Sequence, residues 1–476
     1  MKSRSLLLGI PLFALILTGC NPSPAPTGPS DSSTPQPSLP PPDLAPSPAV
    51  PVPGPESASS PTANPTVAPA PEPTQPSPPV PPSPVLSVLG EPGTKQLLMH
   101  YMPWYETPQV RQKWGSHWTG HKGEHSPSKT GDDGLPDIWS HFHPLIGLYD
   151  STDPDALECH LLQMKLAGVN GVVADWYGIS ENADFPDIHK ATIALFEACR
   201  VQGMKFAACY EDRTIEMLQN WGKLDPADAT SHLVGNLRWL AQNWFGAPQY
   251  FLFGQRPLLL NFGPIHMRDA EAWKSALEGL EPAPLVFGLH HLWKGAGMDG
   301  GFTWVHTEPF EGEPAADEIV RRLSETHAYR SNDPLKAIPS AYPGFRDVYE
   351  KPLLSLDRRE GRTMRETLRA AMEGPWPVIQ LVTWNDYGEG TVIEPTHEDG
   401  YDALEAVQEA RRKELGSLFT FTAGDLRLPA RLFALRKSST ASPAVLDRAS
   451  ALLSAGQCAE ASALLDSLEK PVSAQP

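Results

Sequence analysis

Strand-like apolar runs recur eight times between residues 96 and 383, and amphipathic patterns of helical spacing lie between several of them. This alternation predicts repeated βα units, and eight units over roughly 300 residues match the size of a (β/α)8 barrel. A doubly wound sheet usually has fewer strands and a Gly-rich phosphate turn, which we do not find. We therefore predict an α/β fold, a (β/α)8 barrel of the TIM type. The predicted strands are Gln96–Met102, Gly171–Trp176, Lys205–Tyr210, Pro257–Phe262, Leu285–Leu289, Phe302–Thr307, Lys336–Ser340 and Val378–Thr383.

Helical patterns lie between these strands and also follow the last one. Tyr401–Gly416 is expected to form the closing helix of the barrel. Ala441–Glu469, with Ala/Leu periodicity around Gly456, is expected to form a helical hairpin packed on it. The amphipathic stretches between strands are Asp155–Ala167, Ile188–Gln202, Thr230–Trp244, Asp269–Leu280, Ala316–His327 and Arg362–Met372.

Residues 1–20 have the pattern of a lipoprotein signal peptide. Lys2 and Arg4 precede an apolar run, Leu6–Leu17, that is too short to span a bilayer. The run ends in Thr18-Gly19-Cys20, which resembles a bacterial lipobox in which Cys20 would carry the lipid. We expect a lipid-anchored protein of the bacterial cell envelope, facing the periplasm or the cell surface. An uncleaved signal anchor is the alternative.

Residues 21–92 are predicted to be a disordered linker. From Asn21 to Leu89 the chain has no aromatic residue, Lys or Arg, and it holds 25 of the chain's 53 prolines. Such a segment cannot bury enough apolar surface to fold, and its proline density favours an extended spacer. The predicted domains are therefore the signal peptide (1–20), the linker (21–92), the barrel (93–436) and a C-terminal helical hairpin and tail (437–476).

The net charge and the cysteine spacing limit what kind of protein this chain can be. A net charge of −18 and an isoelectric point near 5.3 argue against nucleic-acid binding. The four cysteines other than Cys20 have no CxxC spacing, so we interpret them as small buried residues. A close pair such as Cys199 and Cys209 could still oxidise in an exported chain. We expect no cofactor, no metal and a monomeric protein.

Aromatic and acidic residues cluster where the predicted strands end. In a parallel barrel these ends meet at one face, where active sites lie. Rings stack on the C–H faces of sugars and carboxylates bind their hydroxyls, so the pattern predicts a carbohydrate-binding cleft. Any one ring alone is better explained as a core residue, and only the recurrence favours the cleft. The predicted substrate-contacting residues are Tyr101, Trp104, Tyr105, Trp176, Tyr177, Tyr210, Glu211, Arg213, His290, Glu308, Tyr342, Trp384, Asn385 and Glu394.

Two carboxylates follow the last predicted strand. Pro377–Thr383 is typical of a strand buried on both faces, and it breaks into a Gly-punctuated loop that carries Asp386 and Glu389. Hydrolysis of a glycosidic bond takes one group that protonates the leaving oxygen and a second carboxylate that acts as base or nucleophile. The alternatives are a solvated acidic loop, or one acid that caps the following turn.

Histidines offer two weaker signals. His117, His121 and His125 are spaced by four residues, which on a helix would align three imidazoles as metal ligands. The intervening glycines and a following proline favour a loop that contacts substrate or lies on the surface. His290, at the end of the fifth predicted strand, is interpreted equally well as a sugar contact or as a hydrogen-bonded histidine of the barrel rim.

Several strand-end motifs occur together in one known family. They are Tyr101–Tyr105 with Trp114, His117 and Trp118 after it, Pro144–Pro154, Asp175–Gly178, Gly297–Gly300, Tyr342–Asp347 and Asn385–Pro395. On these motifs the chain from about Lys95 to Glu405 resembles the glycoside hydrolase family 99-like group, whose best-known members are endo-α-mannosidases. The resemblance implies a (β/α)8 barrel.

The resemblance also implies roles for the two acids. Glu389 falls on the family's general acid/base, and Asp386 falls on the glutamate thought to deprotonate the sugar 2-hydroxyl, giving a 1,2-anhydro sugar. The family has Glu at that place, whereas Asp is the normal residue of the family 71 α-1,3-glucanases, whose catalytic loop is similar to Trp384–Glu389. The resemblances imply an endo-acting hydrolase of α-mannoside or α-glucan chains. A surface lipoprotein that binds polysaccharide without cleaving it is the alternative.

Overall fold

Parallel strands, most of them separated by helices, hydrogen-bond side by side in a ring. The computed structural model describes residues 80–305, 333–349, 355–438 and 441–469. The strands of the ring are β1 (Gln96–Tyr101), β2 (Gly171–Trp176), β3 (Lys205–Tyr210), β5 (Arg256–Asn261), β6 (Leu285–Leu289), β7 (Gly300–Phe302), β8 (Ala337–Ile338), β9 (Ser340–Ala341) and β12 (Val378–Leu381). Outside it, β4 (Leu252–Phe253) pairs antiparallel with β5, and β10 (Phe345–Arg346) pairs with β11 (Ser355–Leu356).

Pro339 lies where the ring closes. Proline has no N–H to donate, so the predicted strand Lys336–Ser340 is corrected to two pieces, β8 and β9. β8 pairs with β7 and β9 pairs with β12, while the Pro339 carbonyl accepts the Gln380 N–H at 2.8 Å. The two pieces act as one strand between β7 and β12. Counted in this way the ring has eight strands, and the predicted (β/α)8 barrel is confirmed.

The sixth predicted strand, Phe302–Thr307, needs correction. The observed strand β7 ends at Phe302, where the prediction began, and Thr307 lies outside the described residues. β7 begins with Gly300 and Gly301, which pair with β6. A Cβ on Gly300 would lie 2.4 Å from the ring of Phe287, so the close approach of β6 requires glycine there. Because glycine lacks strand propensity, the sequence pattern concealed this strand.

Helices cover the outside of the ring. Asp153 caps α4 through the Asp155 N–H, Pro154 occupies the first turn, and Gly168 ends the helix with φ 92°. α7 continues into a π-helical turn, and the predicted helix Ala316–His327 lies outside the described residues. The helices are α1 (Pro84–Leu89), α2 (Pro108–Arg111), α3 (Ser116–Thr119), α4 (Pro154–Ala167), α5 (Phe185–Gln202), α6 (Arg213–Asn220), α7 (Ala229–Leu240), α8 (Ala270–Leu277), α9 (Arg362–Glu373), α10 (Asp402–Leu415), α11 (Leu428–Ser438), α12 (Pro443–Ser454) and α13 (Cys458–Glu469).

The main core lies between this helical layer and the sheet. Leu161, Leu195, Leu233, Leu368 and Leu404 come from five different helices, and all are buried in one apolar cluster with the strands. Burying a leucine side chain contributes about 1.5–3 kcal/mol, so this layer supplies much of the hydrophobic stabilisation. It also fixes the strands whose carboxyl ends carry the candidate site.

The predicted C-terminal hairpin is present as α12 and α13, and α11 packs with it against α4. Arg436 on α11 donates to both carboxylate oxygens of Glu158 on α4, at 2.6 and 3.0 Å. The Ser450 hydroxyl on α12 donates to the same carboxylate at 2.6 Å. This partly buried glutamate therefore joins two helices of the extension to the barrel, and Lys437 on α11 pairs with Asp153 and Asp155 as well.

The last part of the predicted linker is folded, which corrects its boundary at residue 92. Val85 and Leu89 of α1 are buried in the main core. The Leu89 carbonyl accepts the Asn170 amide at 2.8 Å, and the Ser83 N–H donates to the Ala455 carbonyl at 2.7 Å. Composition did not reveal this folded segment because its short apolar run follows the prolines directly.

The signal peptide, Cys20 and residues 21–79 lie outside the described residues, so the lipid anchor and the envelope location stay predictions. Among the described helices, none is long and apolar enough to cross a membrane. Cys159, Cys199, Cys209 and Cys458 are buried and free. Their interpretation as small buried residues is confirmed, and the Cys199–Cys209 disulfide is not formed.

We expect the Leu89→Ala substitution in α1 to lower the free energy of unfolding by about 2–5 kcal/mol, the usual cost of truncating a buried leucine. Urea unfolding followed by circular dichroism measures this change. Ser87→Ala, on the exposed side of the same helix, is the matched control and should stay within about 0.5 kcal/mol of the parent. Parent-like stability of both variants would mean that α1 does not pack on the barrel.

Candidate active site

A closed loop follows β12 and carries both predicted catalytic acids. The Thr383 N–H donates to the Thr391 carbonyl at 3.0 Å, and the two threonine hydroxyls lie 2.9 Å apart. The Trp384 N–H donates to the His100 carbonyl of β1 at 2.6 Å. The loop thus continues the hydrogen bonding of the barrel beyond the end of β12, and this holds the two acids at the carboxyl end of the barrel.

Asp386 and Glu389 meet inside this loop. The Glu389 N–H donates to Oδ1 of Asp386 at 2.9 Å, and the Asp386 N–H donates to the Thr383 hydroxyl at 2.8 Å. Oε2 of Glu389 accepts the indole N–H of Trp304 at 3.0 Å. Asp386 therefore does cap the turn, but the acids are only 3% and 7% exposed, which excludes a freely solvated loop.

Burial raises the pKa of both carboxyl groups. The pKa of Asp386 rises to about 7, because desolvation outweighs the backbone N–H groups of Glu389 and Gly388 that favour the charged form. The pKa of Glu389 is raised well above its usual range by burial and then by the charge of Asp386. Two like charges in one dry site ionise in sequence. Near neutral pH the pair can hold a protonated Glu389 beside a titrating Asp386.

Two further acids face the same cluster. Burial raises the pKa of Glu211, which follows β3, to about 7, although the positive charge of Arg213 acts in the opposite direction. Burial also raises the pKa of Asp175 on β2, and the charges of Glu211, Asp386 and Glu389 raise it further. Four carboxyl groups from the ends of three strands therefore interact, as the barrel prediction required.

Three of the predicted aromatic contacts lie together beside this cluster. The rings of Trp104 and Tyr105 are 6.4 Å apart, and Trp104 is 6.3 Å from Tyr177. Trp104 also stacks on His117 at 4.3 Å. Trp104, Tyr105 and His117 line a cavity of about 140 Å³ that also has charged side chains in its walls, among them Glu106. This mixture of rings and charged groups is the surface that a sugar would need.

Six other predicted contacts are buried and bond or pack with other groups of the protein, so their contact with substrate stays a prediction. The Tyr101 hydroxyl lies 3.0 Å from Nδ1 of His160, the Trp176 indole donates to His189 at 3.0 Å, and the Tyr210 hydroxyl accepts from Asn236 at 3.1 Å. Neighbouring residues of a strand face opposite sides, so the sequence alone does not show which of these strand residues face the cleft. The six residues, all buried, are Tyr101, Trp176, Tyr210, Trp384, Asn385 and Glu394.

Glu394 organises this buried layer. One of its oxygens accepts the hydroxyls of Tyr149 and Tyr387, both at 2.8 Å, and the other lies 3.1 Å from Nε2 of His160. The Asn385 amide donates to the Tyr149 hydroxyl at 3.1 Å. Glu394 therefore ties the loop after β12 to the loop before α4, and its contact with substrate stays a prediction.

The remaining predicted contacts have separate positions. Tyr342 follows β9 and packs with Phe345 and Val382 in a small apolar cluster. The His290 N–H donates to the Phe302 carbonyl at 2.8 Å, at the ends of β6 and β7. Glu308 lies outside the described residues, so its contact stays a prediction.

The three spaced histidines do not converge. His117 and His121 have ring centroids 6.4 Å apart, and His125 instead pairs with Asp137 at 2.7 Å. Stacking of His121 on Tyr349 and of His117 on Trp104 shows that these rings pack as aromatic groups. The prediction that they do not form a metal site is consistent with this arrangement.

Sequence reasoning missed Trp304 and Arg358. Trp304 lies just after β7, and the misplaced end of that strand directed attention to His306–Glu308 instead. Arg358 donates to the carbonyls of Gly390 and Val392, at 3.2 and 2.6 Å, and so holds the far arm of the catalytic loop. A partly buried arginine in the loop between β11 and α9 carries no local sequence signal that would indicate this role.

We expect Glu394→Gln to lower activity at least tenfold, because a neutral amide oxygen is a weaker acceptor for the two tyrosine hydroxyls and an amide NH2 group would replace the oxygen that faces His160. Loss of a hydrogen bond to a buried charged group costs roughly 1.5–3 kcal/mol, so the melting temperature should also fall. Glycan release and thermal unfolding measure the two effects. Glu278→Gln, on the exposed end of α8, is the control. Unchanged values for Glu394→Gln would contradict a positioning role.

Several known proteins are similar to this chain. Residues 93–214 match the family described as Glycosyl hydrolase family 99. A Danio rerio glycoprotein endo-alpha-1,2-mannosidase-like protein is 24% identical over 333 residues, which cover 62% of this chain and 69% of that protein. The glycoprotein endo-alpha-1,2-mannosidase of Rattus norvegicus is 23% identical over 332 residues, which cover 62% and 66%.

A solved structure has a similar fold. The GH99 endo-alpha-mannosidase from Bacteroides thetaiotaomicron superposes with a TM-score of 0.50 at 18% identity, covering 67% of this chain and 98% of that one. The matched family segment runs from just before β1 to just past β3, which contributes Glu211. Residues 93–214 of this chain are therefore similar to glycoside hydrolase family 99, and its barrel is similar to that of a family member.

Proposed function

We propose that this protein cleaves α-linked mannoside or glucan chains within the chain, with Glu389 as general acid/base and Asp386 as its partner. The observation that carries the proposal is the buried pair itself, in which the Glu389 N–H donates to Asp386 at 2.9 Å, burial raises the pKa of Asp386 to about 7, and burial raises the pKa of Glu389 well above its usual range. Groups whose environments separate their pKa values in this way are suited to acid and base roles.

In the proposed reaction Glu389 gives its proton to the glycosidic oxygen as the bond to C1 breaks. Asp386 accepts the proton of the 2-hydroxyl, whose oxygen then bonds to C1 and closes a 1,2-anhydro ring. Water opens this ring in the second step, as Glu389 takes a proton from the water and Asp386 returns its proton to the 2-oxygen. The Trp304 indole, which donates to Glu389, would orient the carboxyl group in both steps.

Two observations support cleavage of an α-linked chain at an internal bond. The similar protein of Rattus norvegicus is described as a glycoprotein endo-alpha-1,2-mannosidase, and that of Danio rerio as a glycoprotein endo-alpha-1,2-mannosidase-like protein. The rings of Trp104, Tyr105 and Tyr177 lie together beside the acids and offer stacking surfaces for a sugar on one side of the cleaved bond. We also propose that lipid on Cys20 holds the enzyme in the cell envelope, with the proline-rich segment as spacer.

We expect the full-length protein to release oligosaccharide from α-mannan or α-glucan, and Glu389→Gln to lower the rate by about 10²–10⁴-fold, the range for loss of a general acid. Chromatography of the products on defined α-linked oligosaccharides measures both rate and cleavage position. Asp386→Glu should also lose activity, because displacing a reacting group by about 1 Å costs on the order of a hundredfold. Glu278→Gln is the control for a surface carboxylate.

The same experiment addresses non-catalytic binding. Asp386 in place of the family's glutamate is the observation that favours this second candidate. Calorimetric binding of a glycan without any release, unchanged in Glu389→Gln and Asp386→Glu, would replace the enzyme by a polysaccharide-binding protein. Release that survives in Glu389→Gln would instead remove Glu389 from the mechanism.

We expect a bell-shaped dependence of kcat/KM on pH. Because the pKa of Asp386 is raised to about 7, activity should fall as pH drops below 7 and this carboxylate becomes protonated. Because the pKa of Glu389 is raised further, its proton should be lost only at higher pH, which gives the alkaline limb. Initial rates between pH 5 and 10 measure the profile, with folding checked at each pH. Full activity at pH 5 would contradict the raised pKa of the base.

A further inference from the structure

His100, Asp175 and Cys209 converge inside the barrel, below the candidate catalytic acids. They lie near the ends of β1, β2 and β3, and all three are buried. One donor atom from each lies within 4.8 Å of the other two. In the part of the chain that the structure describes, this is the one group of three or more histidine, cysteine, aspartate or glutamate side chains with such spacing.

The imidazole of His100 has the form that a metal ligand takes. Its Nδ1 faces Oε1 of Gln380 at 3.5 Å, and the amide nitrogen of Gln380 faces the Thr303 carbonyl. This arrangement makes Nδ1 the donor and leaves the lone pair on Nε2. Nε2 is buried and has no hydrogen-bond partner among the described residues. An imidazole oriented through one nitrogen and open at the other is typical of bound transition metals.

The donor set selects the kind of ion. One thiol, one imidazole and one carboxylate suit a borderline ion such as Zn²⁺, whereas Ca²⁺ and Mg²⁺ prefer oxygen ligands alone. Donor atoms around tetrahedral zinc lie roughly 3.3–3.8 Å apart, given bonds of about 2.0–2.3 Å. The observed spread of up to 4.8 Å is therefore within reach of about 1 Å of side-chain movement.

We propose that His100, Asp175 and Cys209 bind one Zn²⁺-class ion at the floor of the cleft, with a fourth donor from solvent or ligand. Binding displaces the thiol proton of Cys209, and any proton held by the Asp175 carboxyl group, to the buffer, so that both groups bind deprotonated. The ring of His100 meets Trp304 edge to face at 4.9 Å, and Trp304 donates to Glu389. A bound ion would thus fix the ring that orients the proposed acid. This role departs from our expectation that the chain holds no metal.

The test uses the full-length protein, stripped with a chelator and titrated with Zn²⁺ or Co²⁺ without any glycan. We expect one ion per chain, release of at least one proton and a thiolate-to-cobalt charge-transfer absorption. X-ray absorption of the parent zinc protein should show one sulfur at about 2.3 Å and lighter ligands at about 2.0–2.2 Å. This measurement needs no variant, so it decides the matter even if substitutions in the core unfold the protein.

Variants then assign the ligands. Cys209→Ser should remove the charge-transfer band and weaken Zn²⁺ binding at least tenfold, and Asp175→Asn should weaken it as well. Cys199→Ser, another buried cysteine on helix α5, is the matched control and should bind like the parent. Glu389→Gln should also bind like the parent, which separates this proposal from the catalytic one. Substoichiometric binding, a zinc site without sulfur, or parent-like binding by Cys209→Ser would overturn the proposal.

Discussion

Desolvation of carboxyl groups at one end of the barrel is the constraint on which the rest of the site depends. A buried carboxylate is costly unless it is paired or hydrogen-bonded, and Asp386 and Glu389 have neither a cation nor a full set of donors in the described structure. Protonation relieves that cost, which is why the pKa of both groups rises. The folded chain therefore keeps a proton at the place where the proposed reaction needs one.

Such a site requires a rigid support, because the unfavourable charges would otherwise relax toward solvent. The support here is distributed among several layers. Glu394 collects two tyrosine hydroxyls behind the loop, and Arg358 holds two carbonyls at its far arm. Both side chains fix the backbone from which Asp386 and Glu389 project. These buried polar groups thus orient the loop, and Asp386 and Glu389 remain available for the proposed reaction.

Much of the barrel could be predicted because its strands are buried on both faces and read as continuous apolar runs. β2, β3 and β6 have the predicted bounds. The failures have physical causes: glycines concealed β7, and Pro339 divided the strand that closes the ring. The candidate site could likewise be predicted only in part. The two acids could be found because they follow the end of a strand directly. Whether the side chains of Trp176 and Tyr210 point into or out of the barrel depends on the pleat of their strands, which composition does not reveal.

The short side chain at position 386 has a structural reason as well as a chemical one. An aspartate carboxylate can reach back to the N–H three residues later, and here Asp386 accepts from Glu389 at 2.9 Å. This bond sets the turn that points Glu389 at Trp304. A glutamate at the same position would extend one methylene further, and its carboxylate would have to fold back to cap the turn. The length of the side chain at position 386 therefore affects where Glu389 lies, so a substitution at 386 would alter both members of the pair.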